Sequence, residues 1–243
     1  MNGDQSRRSP GGSPRAKADL RAIVSRDLRP VRPLWPPSRR ALTLAPLAVA
    51  IVVGIPVINF FRTDLAALGI VKAWGLSVVE SAAGLAIIAL GLREAVPGRA
   101  LRRRALVGAS LVGLALPLII YRVTTDTFSV GPRTWSQWRF GMVCFRTSVL
   151  AAAPVLLASA FLTKRALPLR RVATGLLWGL GCGLIADAGL RLYCEFTTLP
   201  HMLLEHFSAV VVSMVLGVVM TSVVAPSSPA RGPTERNRAR GQP

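Results

Sequence analysis

Cys144 and Cys194 stand 50 residues apart, and the second opens the stretch YCEFTTLPHMLLEHF, which holds both histidines of the chain, His201 and His206. Glu195 and Glu205 lie in the same stretch, and His201 and Glu205 are four apart, the spacing of neighbours on one helical face. Thiols beside imidazoles support three chemistries. A thiol pair can sense oxidation, with the histidines tuning thiolate character. Cysteine and histidine together can hold a soft metal such as zinc or copper(I). A structural disulfide is the third, with the histidines capping or packing against helix ends. The spacing matches no compact metal motif, so no metal ligand set is assigned and no cofactor is expected.

Two acids raise a separate question, because Glu80 and Asp187 both sit in apolar surroundings. Charges in such places are expensive and face a protein interior or a partner. Asp187 continues a stripe of Gly175, Gly179 and Gly183, whose spacing of four lets another helix approach closely. Arg146 and Arg191 are the candidate partners for Asp187. The stripe would serve a homodimer as readily as an internal contact. Cys182 lies about 18 Å along a helix from Cys194, at about 1.5 Å per residue, so it packs as a small hydrophobe and pairs with neither outer cysteine.

The elements that must position these groups are six apolar stretches: Ala41 to Phe61, Ala73 to Leu92, Ala105 to Tyr121, Thr147 to Thr163, Val172 to Leu190 and Phe207 to Ala225. Each is long enough to cross a hydrocarbon core of about 30 Å. Lipid offers a bare backbone no hydrogen bonds, so these segments must be helices. None shows the polar stripe of a soluble amphipathic helix. The predicted fold is therefore an all-α, polytopic membrane protein, a six-helix transmembrane domain over residues 41–225.

Lys and Arg alternate between the connecting segments. Of the 30, 23 fall in the N-terminal tail, in the second and fourth connections and in the C-terminal tail, and 7 in the others. The positive-inside rule predicts both termini in the cytoplasm of a bacterium, with the chain in the inner membrane and both outer thiols and both histidines in the envelope. The net charge of +19 is explained by that topology and by contact with anionic headgroups, so no direct nucleic-acid partner is expected.

The first 40 residues are polar and lack the apolar core of a signal peptide. Residues 1–16 are rich in Gly, Ser, Pro and Arg and are expected to be disordered, as are residues 226–243. Within residues 17–40, Leu20, Ile23, Val24 and Leu28 fall on one face of a short helix. Pro30 ends it, and Val31 to Pro37, with Leu34 and Trp35, is expected to be extended. So short a helix is marginal alone in water. It can lie on the lipid surface or fold into a groove on a cytoplasmic protein.

The segment PVRPLWPPSRRAL running into a first span, the outer cysteine of MVCFRT, the basic turn KRALPLRR and the cysteine of LYCEFTTLPHMLLEHF together resemble the NrsF family of bacterial membrane anti-sigma factors. The resemblance covers about Asp19 to Ala225. The layout is also similar to that of the CarR type of membrane anti-sigma protein. The resemblance implies that the N-terminal segment holds an alternative sigma factor, of the extracytoplasmic-function type, inactive at the membrane. The partner-binding residues would be Leu20, Ile23, Val24, Leu28, Val31, Leu34 and Trp35. The family's paired periplasmic cysteines map onto Cys144 and Cys194, with His201 and His206 beside them, and would sense the releasing signal. A disulfide closing a loop of about 50 residues is worth about 4 kcal/mol in the chain-entropy model, less in a membrane-constrained chain.

The competing class is a small membrane transporter or channel using Glu80 and Asp187, although two acids are few for transport. An enzyme is not expected: no nucleophile elbow, phosphate-binding glycine loop or HExxH is present.

Overall fold

A computed structural model describes residues 34–125, 138–164, 166, 168–196 and 198–224. Among them there is no strand, and six helices are long and apolar enough to cross a membrane: Pro37–Asn59, Ile70–Glu94, Arg103–Thr124, Met142–Thr163, Arg171–Leu190 and Leu199–Val223. They are called the first to sixth spans below. The protein is an all-α membrane protein built as a six-helix bundle.

Three boundaries differ from the sequence expectation, each for a physical reason. The first helix begins at Pro37, because Pro36 is extended (φ −51°, ψ 142°) and a proline at the first helical position loses no hydrogen bond. Arg39 and Arg40, expected in the tail, therefore lie within this helix. The fourth helix starts at Trp138, so Cys144 and Arg146 sit inside it and not at its edge. The last span starts at Leu199, eight residues before the expected Phe207, and takes in both histidines. Its polar opening is tolerated because Glu205 and His206 are buried against protein, at 6% and 1% exposure.

The fifth span is the axis of the bundle, with 89% of its apolar window buried, and it touches each of the other five. Its glycines make that possible. A Cβ on Gly175 would lie 2.5 Å from Thr221 Oγ1 and 2.6 Å from the Gly217 carbonyl, and one on Gly179 would lie 2.5 Å from the Ser213 carbonyl. Gly183 meets Val210 in the same way. The stripe is therefore filled by the sixth span, an intramolecular contact, and its surface is not free for a second copy. On the other faces Gly84 lies against Gly181, and Gly189 against Val52 and Ile55. Trp178, Leu180, Cys182, Leu184 and Ile185 are fully buried along this axis.

At the end of the bundle where the first span starts, three polar ties fasten the segment boundaries. The Arg40 guanidinium donates to the Leu162 carbonyl of the fourth span. The Leu101 N–H donates to Glu94 Oε2 at 2.6 Å, and Arg170 pairs with the same carboxylate at 2.6 Å. Thr221 Oγ1 donates to the Arg171 carbonyl at 3.1 Å. At the other end the loops after the first and fifth spans are joined. The Arg62 N–H donates to the Leu192 carbonyl at 3.1 Å, and Glu195 Oε1 accepts from both N and Oγ1 of Thr63 at 2.8 and 2.7 Å.

Candidate functional site

The fifth helix ends at Leu190, and the chain turns at once, with the Cys194 N–H bonded to the Leu190 carbonyl at 2.7 Å. That turn carries Cys194 back against the first turns of the fourth span. Cys144 and Cys194 face each other with Sγ atoms 3.6 Å apart, both thiols free and both buried, at 3% and 4% exposure. Cys194 Sγ lies 3.2 Å from His201 Nε2. The two sulfurs and a nitrogen of His201 fall within 4.8 Å of one another, a donor set that also suits a soft metal. Cys182 is elsewhere, in the core, 3.7 Å from Ser159 Oγ.

The histidines are brought together by a departure from α-helical geometry. Met202–Phe207 is π-helical, so residues five apart, not four, stack along the axis. His201 and His206 consequently face each other with ring centroids 5.5 Å apart. Glu205, expected to share a face with His201, instead turns to the fourth span, where its Oε2 accepts from the Phe145 N–H at 3.2 Å. This bond lies one residue from Cys144 and locks the sixth span to the fourth there.

Below the thiols is a closed ion cluster. His206 Nδ1 lies 2.6 Å from Asp187 Oδ1, Arg191 donates to Asp187 Oδ2 at 2.8 Å, and the same guanidinium donates to Glu80 Oε2 at 2.8 Å and to the Pro117 carbonyl at 3.1 Å. Glu80 and Asp187 have no exposed surface. Of the two arginines weighed for Asp187, it is Arg191 that takes the carboxylate. One guanidinium serves two carboxylates, so a proton or the His206 imidazolium must balance the second charge. The cluster joins the second, third, fifth and sixth spans through four side chains and one carbonyl.

Electrostatics at the loop follow from this arrangement. Burial opposes the Arg191 charge, but the facing Asp187 and Glu80 carboxylates outweigh it and hold the guanidinium above its ordinary pKa. The hydrogen bond from Cys144 holds the Cys194 thiol well below its ordinary pKa; burial opposes this, and His201 and His206 reinforce it. The Cys144 S–H is thus directed at Cys194 Sγ, which favours ionisation at Cys194 over Cys144.

The structure thus brings four of the singled-out residues, Cys144, Cys194, His201 and His206, into one cluster, and joins Glu80 and Asp187 to it through His206. Leu34 and Trp35 are exposed, at 39% and 67%. Leu20, Ile23, Val24, Leu28 and Val31 lie outside the described residues. Sequence reasoning missed the Glu80–Arg191 and Asp187–His206 pairs. The usable signal was depth: Asp187, Arg191 and His206 all fall within about two turns of the same end of the bundle, and a long arginine side chain can reach Glu80 deeper in.

A thiol pair at this spacing can close to a disulfide with a small shift of the fourth span against the fifth, since the bond itself is about 2.05 Å. No curated protein and no solved structure matches the chain. Residues 24–225, which take in all six spans, the thiol pair and the ion cluster, match the family described as negative regulator of sigma F, and the chain belongs to that family, NrsF.

Proposed function

We propose that this negative regulator sequesters an alternative sigma factor, of the extracytoplasmic-function type, through its N-terminal segment, and releases it when an envelope signal changes the state of Cys144 and Cys194. In the resting state Leu20, Ile23, Val24, Leu28 and Val31, followed by Leu34 and Trp35, fill an apolar groove on the sigma factor and keep it from core RNA polymerase. Both termini are cytoplasmic, and the thiols face the envelope of the inner membrane.

The observation that carries this reading is the 3.6 Å approach of two buried thiols at one end of the bundle, linked by one helix to the root of the tail at the other. Cys144 lies near the start of the fourth span, and Leu162 near its end. Leu162 accepts from Arg40, which lies in the first turn after the tail enters the bundle. A shift of the fourth span as the thiols close therefore pulls on Arg40 across the full thickness of the bundle. The exposure of Trp35 also supports docking, because an aromatic side chain left uncovered beside a bilayer is the kind of anchor that protein partners bury. Both acids available to a transporter are engaged by Arg191 and His206, which supports a structural role over transport.

Removal of Ala18 to Trp35 is expected to abolish co-purification of the sigma factor, and equal capture by the shortened chain would overturn the docking step. The Cys144→Ser, Cys194→Ser double variant is expected to leave the regulon uninduced by oxidants; normal induction would remove the sensing step. Titration with zinc and copper(I) under reducing conditions separates the thiol-oxidation reading from a metal one, since only the latter releases the sigma factor without a disulfide.

A further inference from the structure

Beside the thiols lies a pocket of about 260 Å³ lined by Asn59, Phe60, Phe61, Thr63, Val143, Cys144, Tyr193, Cys194, Glu195 and Phe196. Its size is just under the usual range of ligand sites, about 300 to 1,000 Å³, so it accommodates one ring and no long chain. Four of the lining side chains are aromatic. Its lining includes exposed apolar side chains from the end of the first span and the start of the fourth: Phe60 is 81% exposed, Phe61 42% and Val143 41%. Phe60 also has a backbone φ of 70°, a conformation that L residues avoid and that recurs at ligand clamps. Glu195 is the acidic side chain among the described lining residues and no basic one stands beside it there, which disfavours anionic oxidants and acidic disulfides. The site thus favours a flat, uncharged, lipid-soluble oxidant that accepts two electrons.

We propose that this pocket admits the ring of a membrane quinone, which oxidises Cys144 and Cys194 to a disulfide and leaves as the hydroquinone. This rests on the reading of the thiol pair as the sensor. Cys194, with His201 Nε2 at 3.2 Å to take its proton, adds as thiolate to a ring carbon of the quinone. Cys144 then attacks Cys194 Sγ from 3.6 Å, forming the S–S bond and breaking the bond from sulfur to ring carbon. The two sulfurs lose two electrons and two protons, and the quinone gains both pairs. The partner supplied by the bilayer is therefore its own electron carrier, and the regulator would report how oxidised that pool is.

The test uses the full-length protein, reduced, in nanodiscs of phosphatidylcholine and phosphatidylglycerol, with decylubiquinone as probe and hydrogen peroxide as a small control oxidant. Disulfide formation is followed by maleimide labelling and hydroquinone by absorbance. One hydroquinone per Cys144–Cys194 disulfide is expected, at a rate that saturates with the quinone fraction in the bilayer. Filling the pocket with Val143→Trp should slow the quinone reaction about tenfold, the equivalent of a modest overpacking penalty, and change the peroxide reaction by less than about twofold. If that variant fails to fold, Val143→Ala decides: the quinone fraction at half saturation must move while the peroxide rate does not, and an unchanged value overturns the site. Disulfide formation with peroxide but not with decylubiquinone overturns the quinone proposal and leaves thiol sensing standing. Failure with both oxidants removes both.

Discussion

The two ends of this bundle solve the problem of buried charge in opposite ways. At the thiol end, Glu80, Asp187, Arg191 and His206 form a closed group that crosses four spans and shows almost no surface. At the other end Arg40, Glu94 and Arg170 each tie a loop or helix terminus to a neighbour, and Arg170 keeps 43% of its side chain exposed. A closed group is costly to break and has two discrete arrangements, intact or disrupted, while single ties yield one at a time. The difference predicts that the two ends respond unequally to the loss of a single charge.

The comparison is broken most directly at Arg191. Arg191→Met leaves the buried Glu80 carboxylate without its cation and Asp187 with His206 alone, and a loss of about 3 to 5 kcal/mol is expected, read as a fall in the unfolding midpoint in detergent. Glu94→Gln at the opposite end should lower stability by only about 1 kcal/mol in the same assay, because Arg170 can turn to water and the amide still accepts from Leu101. If the two variants were equally destabilised, the contrast between a closed cluster and single ties would be wrong. A subtler change is expected at the root of the tail. Arg40→Met removes one charged hydrogen bond, and the regulon should rise several-fold without any signal, as a loss of about 1 to 2 kcal/mol in holding free energy implies. Unchanged basal expression would sever the proposed link between Leu162 and the docking segment.

The smallest effect concerns thiol reactivity. Because Cys194 is held below the ordinary thiol range, its thiolate persists as the pH falls. Alkylation by iodoacetamide should then remain fast well below pH about 8.5, where an ordinary thiol fades. Cys182, with no exposed surface, should stay unmodified throughout. Mass mapping of the alkylated peptides at several pH values reads both.

Span number and helical class were legible from hydropathy alone, since about 20 apolar residues leave no other spanning structure. The meeting of Cys144 with Cys194 was legible only as a shared side and depth; the distance came from the tight turn after Leu190, which no residue pattern announces. The start of the last span was misplaced because Glu205 and His206 lower local hydropathy, and hydropathy does not register that each has a buried partner. The His201–Glu205 spacing was read on an α-helical wheel and failed where the backbone is π-helical. Gly175, Gly179 and Gly183 marked a close approach correctly, but a stripe of small residues does not name its neighbour. The sixth span is that neighbour because the same register continues from Gly175 through Asp187 to His206.

The π segment Met202–Phe207 acts as a phase shifter for everything after it. Each residue advances an α-helix by about 100°, so one extra residue in a turn rotates the rest of the sixth span by that amount relative to an uninterrupted helix. Two alignments that a regular helix could not satisfy together are met at once: His201 and His206 point at the thiols and Asp187, while Ser213, Gly217 and Thr221 mesh with Gly179 and Gly175. Relaxing that turn to α geometry would move the histidines and the glycine seam together in a single rotation, so the local backbone of six residues sets the packing of an entire helix.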